Sequence, residues 1–132
     1  MTSPVATPQA PISWGELIDK ITILEIKTGR LPTAEGRANA MTELGLLKGI
    51  AGPALAQAQI QSLAAQLKAL NEGLWEIEDR IRACERSGDF GAGFVELARS
   101  VYKRNDERGA IKRQINLALG SGLIEEKSYQ PY

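Results

Sequence analysis

A sustained seven-residue repeat of apolar side chains restricts the fold of this chain more than any other feature. From residue 56 to residue 84 the spacing alternates between four and three, through Ala56, Ile60, Leu63, Leu67, Leu70, Leu74, Ile77, Ile81 and Cys84. Such a repeat is typical of one long helix that packs lengthwise on another. Residues 94–119 repeat the pattern, but Asn105, Arg108 and Lys112 occupy its middle third. The sequence therefore predicts two long paired helices, one of which places charge at the interface.

Capping and turn residues divide the chain into four predicted helices. Ser13 and Glu16 form a capping box, and Thr33 and Asp89 are further candidate caps. The predicted helices run from Trp14 to about Arg30, Ala34 to about Ile50, Pro53 to about Arg86, and Asp89 to about Leu119. Because only a few residues join the last two, we expect them to fold back on each other. The prediction is an all-α fold of four helices, built on a long antiparallel coiled-coil-like helical hairpin.

The length allows one small domain with a short tail at each end. With 132 residues, the chain can enclose one modest hydrophobic core. We expect a flexible tail over residues 1–11, a helical domain over residues 12–122 and a C-terminal tail over residues 123–132. No apolar run approaches the roughly 20 residues that cross a bilayer, and the start lacks the pattern of a secretory signal. We therefore expect a cytoplasmic protein with no membrane partner.

The composition excludes several classes of function. The 16 basic and 16 acidic side chains give a formal net charge of zero, so no overall field attracts nucleic acid, and a nucleic-acid partner is not expected. The chain has no histidine and a single cysteine, Cys84, which removes Ser-His and Cys-His nucleophiles and structural zinc. We expect no cofactor, unless a hard metal ion such as Mg²⁺ or Mn²⁺ binds to carboxylates.

The charged middle of the fourth helix has two interpretations. Acidic residues of the third helix can pair with basic residues of the fourth and set the register of the hairpin. Alternatively, the inward cations bind a small anion, because an unpaired buried charge costs several kcal/mol and arginine holds a carboxylate or phosphate through two hydrogen bonds. Carboxylates of the first or third helix compete for the same cations. The candidate ligand-binding residues on this helix are Arg99, Tyr102, Asn105, Asp106, Arg108 and Lys112.

Three acidic residues on one face of the third helix form a candidate metal site. Glu72, Glu76 and Asp79 lie at positions i, i+4 and i+7, where their oxygens suit Mg²⁺ or Mn²⁺. The step from Glu76 to Asp79 is similar to half of the motif of helical nucleotide pyrophosphohydrolases, whose other half is missing here. Two hypotheses therefore stay open. One is a small binding or assembly module, with a polar pocket between helices 1, 3 and 4 and a protein partner or self-association. The other is a metal-dependent enzyme acting on a phosphorylated metabolite or nucleotide.

Several longer strings resemble a known family. They are ISWGELIDKITILEIK (residues 12–27), ED with DFG (78–79 and 89–91), LARSVY with ND (97–102 and 105–106) and EEKSY (125–129). These strings resemble a family of small uncharacterised bacterial and phage proteins, a domain of unknown function. The resemblance implies no catalytic residue. It does select charged residues that would otherwise be interpreted as surface, and it adds Asp19 and Lys20 to the candidate ligand-binding residues.

Overall fold

Four α-helices account for most of the computed structural model, which describes residues 5–132. They are α1 (Trp14–Arg30), α2 (Ala34–Ala51), α3 (Ala58–Ser87) and α4 (Ala92–Ala118), with a 3-10 turn, Gly52–Ala56, between α2 and α3. The predicted all-α fold is confirmed. Of the expected N-terminal tail, residues 1–4 lie outside the described residues, and residues 5–11 are exposed and without regular secondary structure. No helix within residues 5–132 combines the length and apolarity needed to span a membrane.

Two of the predicted caps form as the sequence indicates. Ser13 Oγ accepts a hydrogen bond from the backbone N–H of Glu16 at 3.2 Å, and Thr33 Oγ1 accepts one from Gly36 at 3.0 Å. Each bond satisfies a backbone donor that the first turn of a helix leaves without a partner. Local capping chemistry therefore sets where α1 and α2 begin.

The starts of α3 and α4 differ from the prediction. Helix α3 begins at Ala58 rather than near Pro53, because Gly52 has φ 53° and starts a separate 3-10 turn before the extended Gln57. Asp89 does not cap α4. Its Oδ1 accepts from the backbone N–H of Gly91 at 3.1 Å, which closes a turn over residues 89–91, directly before the helix.

Helix α1 holds the domain together, since it packs against each of the other three helices. Helices α3 and α4 pack on each other as an antiparallel hairpin, and α2 packs on α1 and the 3-10 turn. The core lies where α1 covers the base of the hairpin, and its fully buried side chains include Ile18, Ile60, Leu67 and Ile115. At the end of α1, Arg30 lies 3.2 Å from Glu76. The tip of the hairpin therefore extends beyond the end of α1.

Candidate functional site

Asp19 of α1 and Arg108 of α4 form a bidentate ion pair inside the domain. Arg108 Nε donates to Asp19 Oδ1 at 2.9 Å, and Arg108 Nη2 donates to Oδ2. The Asp19 side chain is 1% exposed and that of Arg108 is 26% exposed. The hydrogen bond to Asp19 raises the pKa of Arg108, which burial alone would lower. Asp19 thus fixes the position of the guanidinium and offsets its charge.

Helix α3 completes this polar network through Asn71. Asn71 Nδ2 donates to Asp19 Oδ1 at 2.9 Å and to Thr22 Oγ1 at 3.0 Å. Thr22 Oγ1 donates in turn to the backbone oxygen of Asp19 at 2.7 Å, and Arg108 Nη1 donates to Asn105 at 3.3 Å. Among residues 5–132, every buried polar side-chain atom has a hydrogen-bond partner. The polar network (Asp19, Thr22, Asn71, Asn105 and Arg108) therefore links three helices, and each of its fully buried side-chain polar atoms has a partner.

A groove beside the polar network lies between α1, α3 and α4, and it is called here the three-helix groove. Its volume is about 610 Å³. One wall is apolar, formed by Ile23, Ile26, Leu74, Trp75 and Val101. The polar lining is formed by Asn71, Glu78, Asp79, Arg82, Asn105 and Arg108. An arginine has five N–H bonds, of which three donate to Asp19 and Asn105. Within residues 5–132, two N–H bonds of Arg108 have no described acceptor.

Lys112 lies one helical turn after Arg108 and contacts two carboxylates. Its Nζ donates to Glu16 Oε2 at 2.7 Å and to Glu125 Oε2 at 2.9 Å, and the side chain is 10% exposed. Burial lowers the pKa of Lys112, but the hydrogen bonds to the two carboxylates outweigh it and raise the pKa overall. The hydrogen bond to Lys112 lowers the pKa of Glu125. The inward cations of α4 are therefore paired by carboxylates of α1 and of residues 123–132.

A close approach of α1 to α4 positions both ion pairs. A Cβ atom on Gly15 would lie 2.4 Å from the backbone oxygen of Lys112, so this crossing requires glycine. The N–H of Gly15 donates to Asn116 Oδ1 at 2.6 Å, and that of Trp14 donates to Ser121 Oγ at 3.2 Å. Side chains of α4 and of the residues just after it thus satisfy backbone donors at the start of α1.

Residues 123–132, called here the C-terminal segment, run back along α4. Glu126 lies 3.6 Å from Arg113, and the ring centroid of Tyr132 lies 5.1 Å from that of Tyr102. A hydrogen bond to Asp106 raises the pKa of the Tyr132 hydroxyl. The sequence pattern gave this tail no packing signal, because an extended segment that binds through side chains has no helical periodicity.

The structure places the eight candidate ligand-binding residues in three groups. Asp19, Asn105 and Arg108 share the polar network, and Lys112 follows one turn later. Tyr102 and Asp106 instead contact Tyr132 of the C-terminal segment. The two remaining candidates lie apart from the network, since Lys20 is exposed and Arg99 pairs with Glu96 at 3.8 Å.

The three candidate metal ligands are exposed on α3. Glu76 pairs with Arg30 at 3.2 Å, and Asp79 lines the three-helix groove while Glu72 is exposed. Within the described residues, no group of three or more acidic or cysteine side chains is arranged to hold a metal ion. A site formed by Glu72, Glu76 and Asp79 therefore stays a prediction.

Sequence reasoning missed several polar residues that complete the ion pairs. Asn71 follows the buried Leu67 by four residues, and Asn116 follows Lys112 by four. A polar residue spaced in this way from a buried one lies on the same face of the helix. This spacing could have identified Asn71 and Asn116 as inward-facing residues from the sequence. Glu125 lies outside any periodic segment, and only the family resemblance, through the string EEKSY, pointed to it.

The fold and the polar network define a small all-α domain in which partly buried ion pairs tie the first helix to a helical hairpin. The chain belongs to a family of unknown function (DUF6165), whose model matches residues 9–132. This agrees with the resemblance to an uncharacterised family. Comparison with curated proteins gave no match, and comparison with solved structures also gave none.

Proposed function

We propose that this chain is a small binding module whose three-helix groove takes a singly charged carboxylate with an apolar body. The observation that carries the proposal is the position of Arg108. Its guanidinium is held by Asp19 and Asn105, lines the groove and retains two N–H bonds without a described acceptor. A donor already fixed in place loses little conformational freedom when a ligand binds.

The charges around the groove favour a monoanion over a phosphate dianion. Asp19 already neutralises Arg108, and Glu78 and Asp79 line the groove beside Arg82. A second negative charge on the ligand would meet these carboxylates, and Arg82, the other cation among the described lining residues, already pairs with Glu78 at 3.9 Å. A monocarboxylate presents two acceptor oxygens with one negative charge, and the two remaining N–H bonds of Arg108 can donate to them.

The apolar wall of the groove favours a carboxylate that carries an apolar body. Ile23, Ile26, Leu74, Trp75 and Val101 give the groove an apolar lining, and its volume of about 610 Å³ lies within the usual range of small-molecule sites, roughly 300–1,000 Å³. Burial of an apolar body there contributes about 25 cal/mol per Å² removed from water. We expect affinity to increase with the length or ring size of the carboxylate's apolar part.

Thermal unfolding with a series of monocarboxylates tests the proposal. Acetate, hexanoate, phenylacetate and indole-3-acetate keep one carboxylate and vary the apolar body. Phenylacetate and indole-3-acetate should raise the melting temperature, whereas acetate at equal concentration should not. At a hundred times its dissociation constant, a ligand adds about 2.7 kcal/mol to the free energy of unfolding. Trp75→Leu should reduce the shift without unfolding the domain.

The control is Arg99→Gln, because Arg99 lies on α4 like Arg108 but is 51% exposed beside Glu96 and does not line the groove. This variant should keep the full ligand response. Absence of a shift with every carboxylate, or an equal shift in Trp75→Leu, would reject the groove. A shift seen only with Mg²⁺ or Mn²⁺ plus a nucleotide or sugar phosphate, and lost in Glu76→Gln, would favour the metal-dependent enzyme instead.

A further inference from the structure

The C-terminal segment is held on α4 mainly by contacts at the surface. Every residue from 122 to 132 is exposed. The pair of Glu126 with Arg113 has side chains 79% and 53% exposed, and Tyr132, against Tyr102, is 76% exposed. Exposed ion pairs contribute only about 0–1 kcal/mol each. The segment can therefore leave α4 at a small cost compared with unfolding a helix.

The surface beneath the segment is complementary to its sequence. Adjacent Lys112 and Arg113 on α4 face adjacent Glu125 and Glu126 of the segment. When the segment leaves, Lys112 keeps Glu16 but loses the second of its two carboxylate partners, although its side chain is 10% exposed. The vacated surface thus retains a preference for two consecutive carboxylates.

The chain before the segment is fixed, and the freedom to turn begins at Gly122. Ser121 N–H donates to the backbone oxygen of Asn116 at 2.8 Å, and Ser121 Oγ accepts from the N–H of Trp14 at 3.2 Å. Gly122 follows, and a Cβ atom there would meet nothing within 4 Å. Ser121 Oγ also donates to the backbone oxygen of Leu123 at 2.6 Å, an exposed bond across Gly122 that breaks when the segment leaves. Glycine permits a wide range of backbone directions, so the segment can then leave in a new direction while the bonds of Ser121 to Asn116 and Trp14 stay in place.

From the weakly held segment, the pivot at Gly122 and the matching surface on α4, we propose that residues 123–132 exchange between two copies of this chain. Each copy then places its segment on α4 of the other, in a two-fold symmetric dimer. The contacts are the same within one chain and between two, which is the usual basis of domain swapping. This inference does not depend on a ligand in the three-helix groove.

Chain concentration governs the exchange. Within one chain the segment competes at an effective concentration on the order of mM, as for other short flexible connections. Exchange between copies becomes populated as the protein concentration approaches that value. We therefore expect a monomer at micromolar concentration and a growing dimer fraction towards millimolar concentration.

Binding of a labelled peptide with the sequence of residues 123–132 tests the acceptor surface. The protein is the full chain carrying Glu125→Lys and Glu126→Lys, whose own segment is repelled by Lys112 and Arg113. Fluorescence anisotropy should show binding to this variant at least about tenfold tighter than to the native chain, where the attached segment competes. Binding should weaken in 1 M salt. A peptide carrying both lysines should not bind.

The matched control carries the same charge change elsewhere, as Glu35→Lys and Glu43→Lys, both at exposed positions of α2. It should bind the peptide as weakly as the native chain does. Circular dichroism checks that each variant is helical. If the Glu125→Lys and Glu126→Lys variant is not helical, Glu126→Lys alone takes its place, because Glu126 is 79% exposed.

Sedimentation of the native chain from 1 µM to 1 mM then tests the exchange itself. The dimer should form in the native chain and in the α2 control, stay absent in Glu125→Lys with Glu126→Lys, and dissociate with excess native peptide. A native chain that stays monomeric over the whole range overturns the proposal. So does a dimer that excess peptide leaves intact, or a helical variant that does not bind the peptide.

Discussion

Asp19 accepts side-chain hydrogen bonds from α3 and α4, and its backbone oxygen accepts another from Thr22 on its own helix. Replacement of a buried ion pair by apolar residues is often neutral, but removal of one partner is costly because the other charge is left alone. Without Asp19, the charge left unpaired would be that of Arg108. At the scale of single residues, the contact between three helices therefore depends on Asp19, which cannot be replaced alone without leaving Arg108 unpaired.

Asp19→Asn tests this dependence. The amide keeps the shape of the carboxylate but leaves Arg108 without its counter-charge, so the free energy of unfolding should fall by about 2–4 kcal/mol, somewhat reduced by the partial exposure of Arg108. Urea unfolding measures the change. Lys20→Ala, at the adjacent exposed position, should stay within about 0.5 kcal/mol of the native chain. Equal effects of the two substitutions would contradict the assigned role of the ion pair.

Gly15→Ala tests the close crossing of α1 and α4. The new Cβ atom would lie 2.4 Å from the backbone oxygen of Lys112, so the helices must separate, at a cost of about 1–3 kcal/mol. Gly29→Ala is the control on the same helix. A Cβ atom there meets nothing within 4 Å, and the substitution should stabilise the helix by up to about 1 kcal/mol. Thermal unfolding should therefore show a lower melting temperature for Gly15→Ala and a higher one for Gly29→Ala.

At the scale of elements, the C-terminal segment depends on the ionisation of Glu125 and Lys112. The folded pKa of Glu125 is lowered from its ordinary 4.5, so its contribution is present above 4.5 and is lost as the pH falls through the lowered value. The folded pKa of Lys112 is raised from 10.5, so its contribution is present below 10.5 and is lost as the pH rises through the raised value. Docking should therefore be strongest between these limits.

Acid release of the segment can be followed through the amide resonances of residues 123–132. These resonances should move towards values typical of disordered peptide as the pH falls below 4.5, because Lys112 loses one charged partner. Glu125→Gln should weaken docking at neutral pH and remove most of the acid transition. Glu126→Gln, at a position 79% exposed, should keep the transition. An unchanged transition in Glu125→Gln would show that another group controls docking.

Local and periodic signals explain which elements were predictable from the sequence. Ser13 and Thr33 cap their helices through bonds within three residues, and the heptad pattern depends on regular spacing, so both are visible in one sequence. The pairing of Lys112 with Glu125 is different, because it joins α4 to an extended segment that has no repeat. Arg108 was identifiable as an inward charge, whereas its main partner, Asp19, was singled out only by the family resemblance.

At the scale of the whole molecule, the protection of backbone amides from hydrogen exchange should differ between the base and the tip of the hairpin. Ile60 and Leu67 are fully buried where α1 covers α3. From residue 78 through the turn to residue 110 no residue is buried, and Phe90 at the turn is 53% exposed. Regions with fewer buried apolar contacts open locally at a lower cost in free energy. The tip should therefore open without unfolding of the base.

Hydrogen exchange along α3 measures this difference within one helix. Amides of residues 60–71 should exchange at least about tenfold more slowly than those of residues 78–86, because the first group opens only when α1 separates from the hairpin. Leu67→Ala should accelerate exchange at the base and lower the free energy of unfolding by about 2–5 kcal/mol. Uniform protection along α3 would mean that the tip and the base unfold together.

The contacts at the start of α1 also determine the order in which the fold can be completed during synthesis. Trp14 is bonded to Ser121, 107 residues later, and Glu16 shares Lys112 with Glu125. Helix α1 is therefore synthesised well before these partners, and its packing is complete only after residues 112–125 have been translated. Until then its apolar faces are available to other nascent chains or to chaperones.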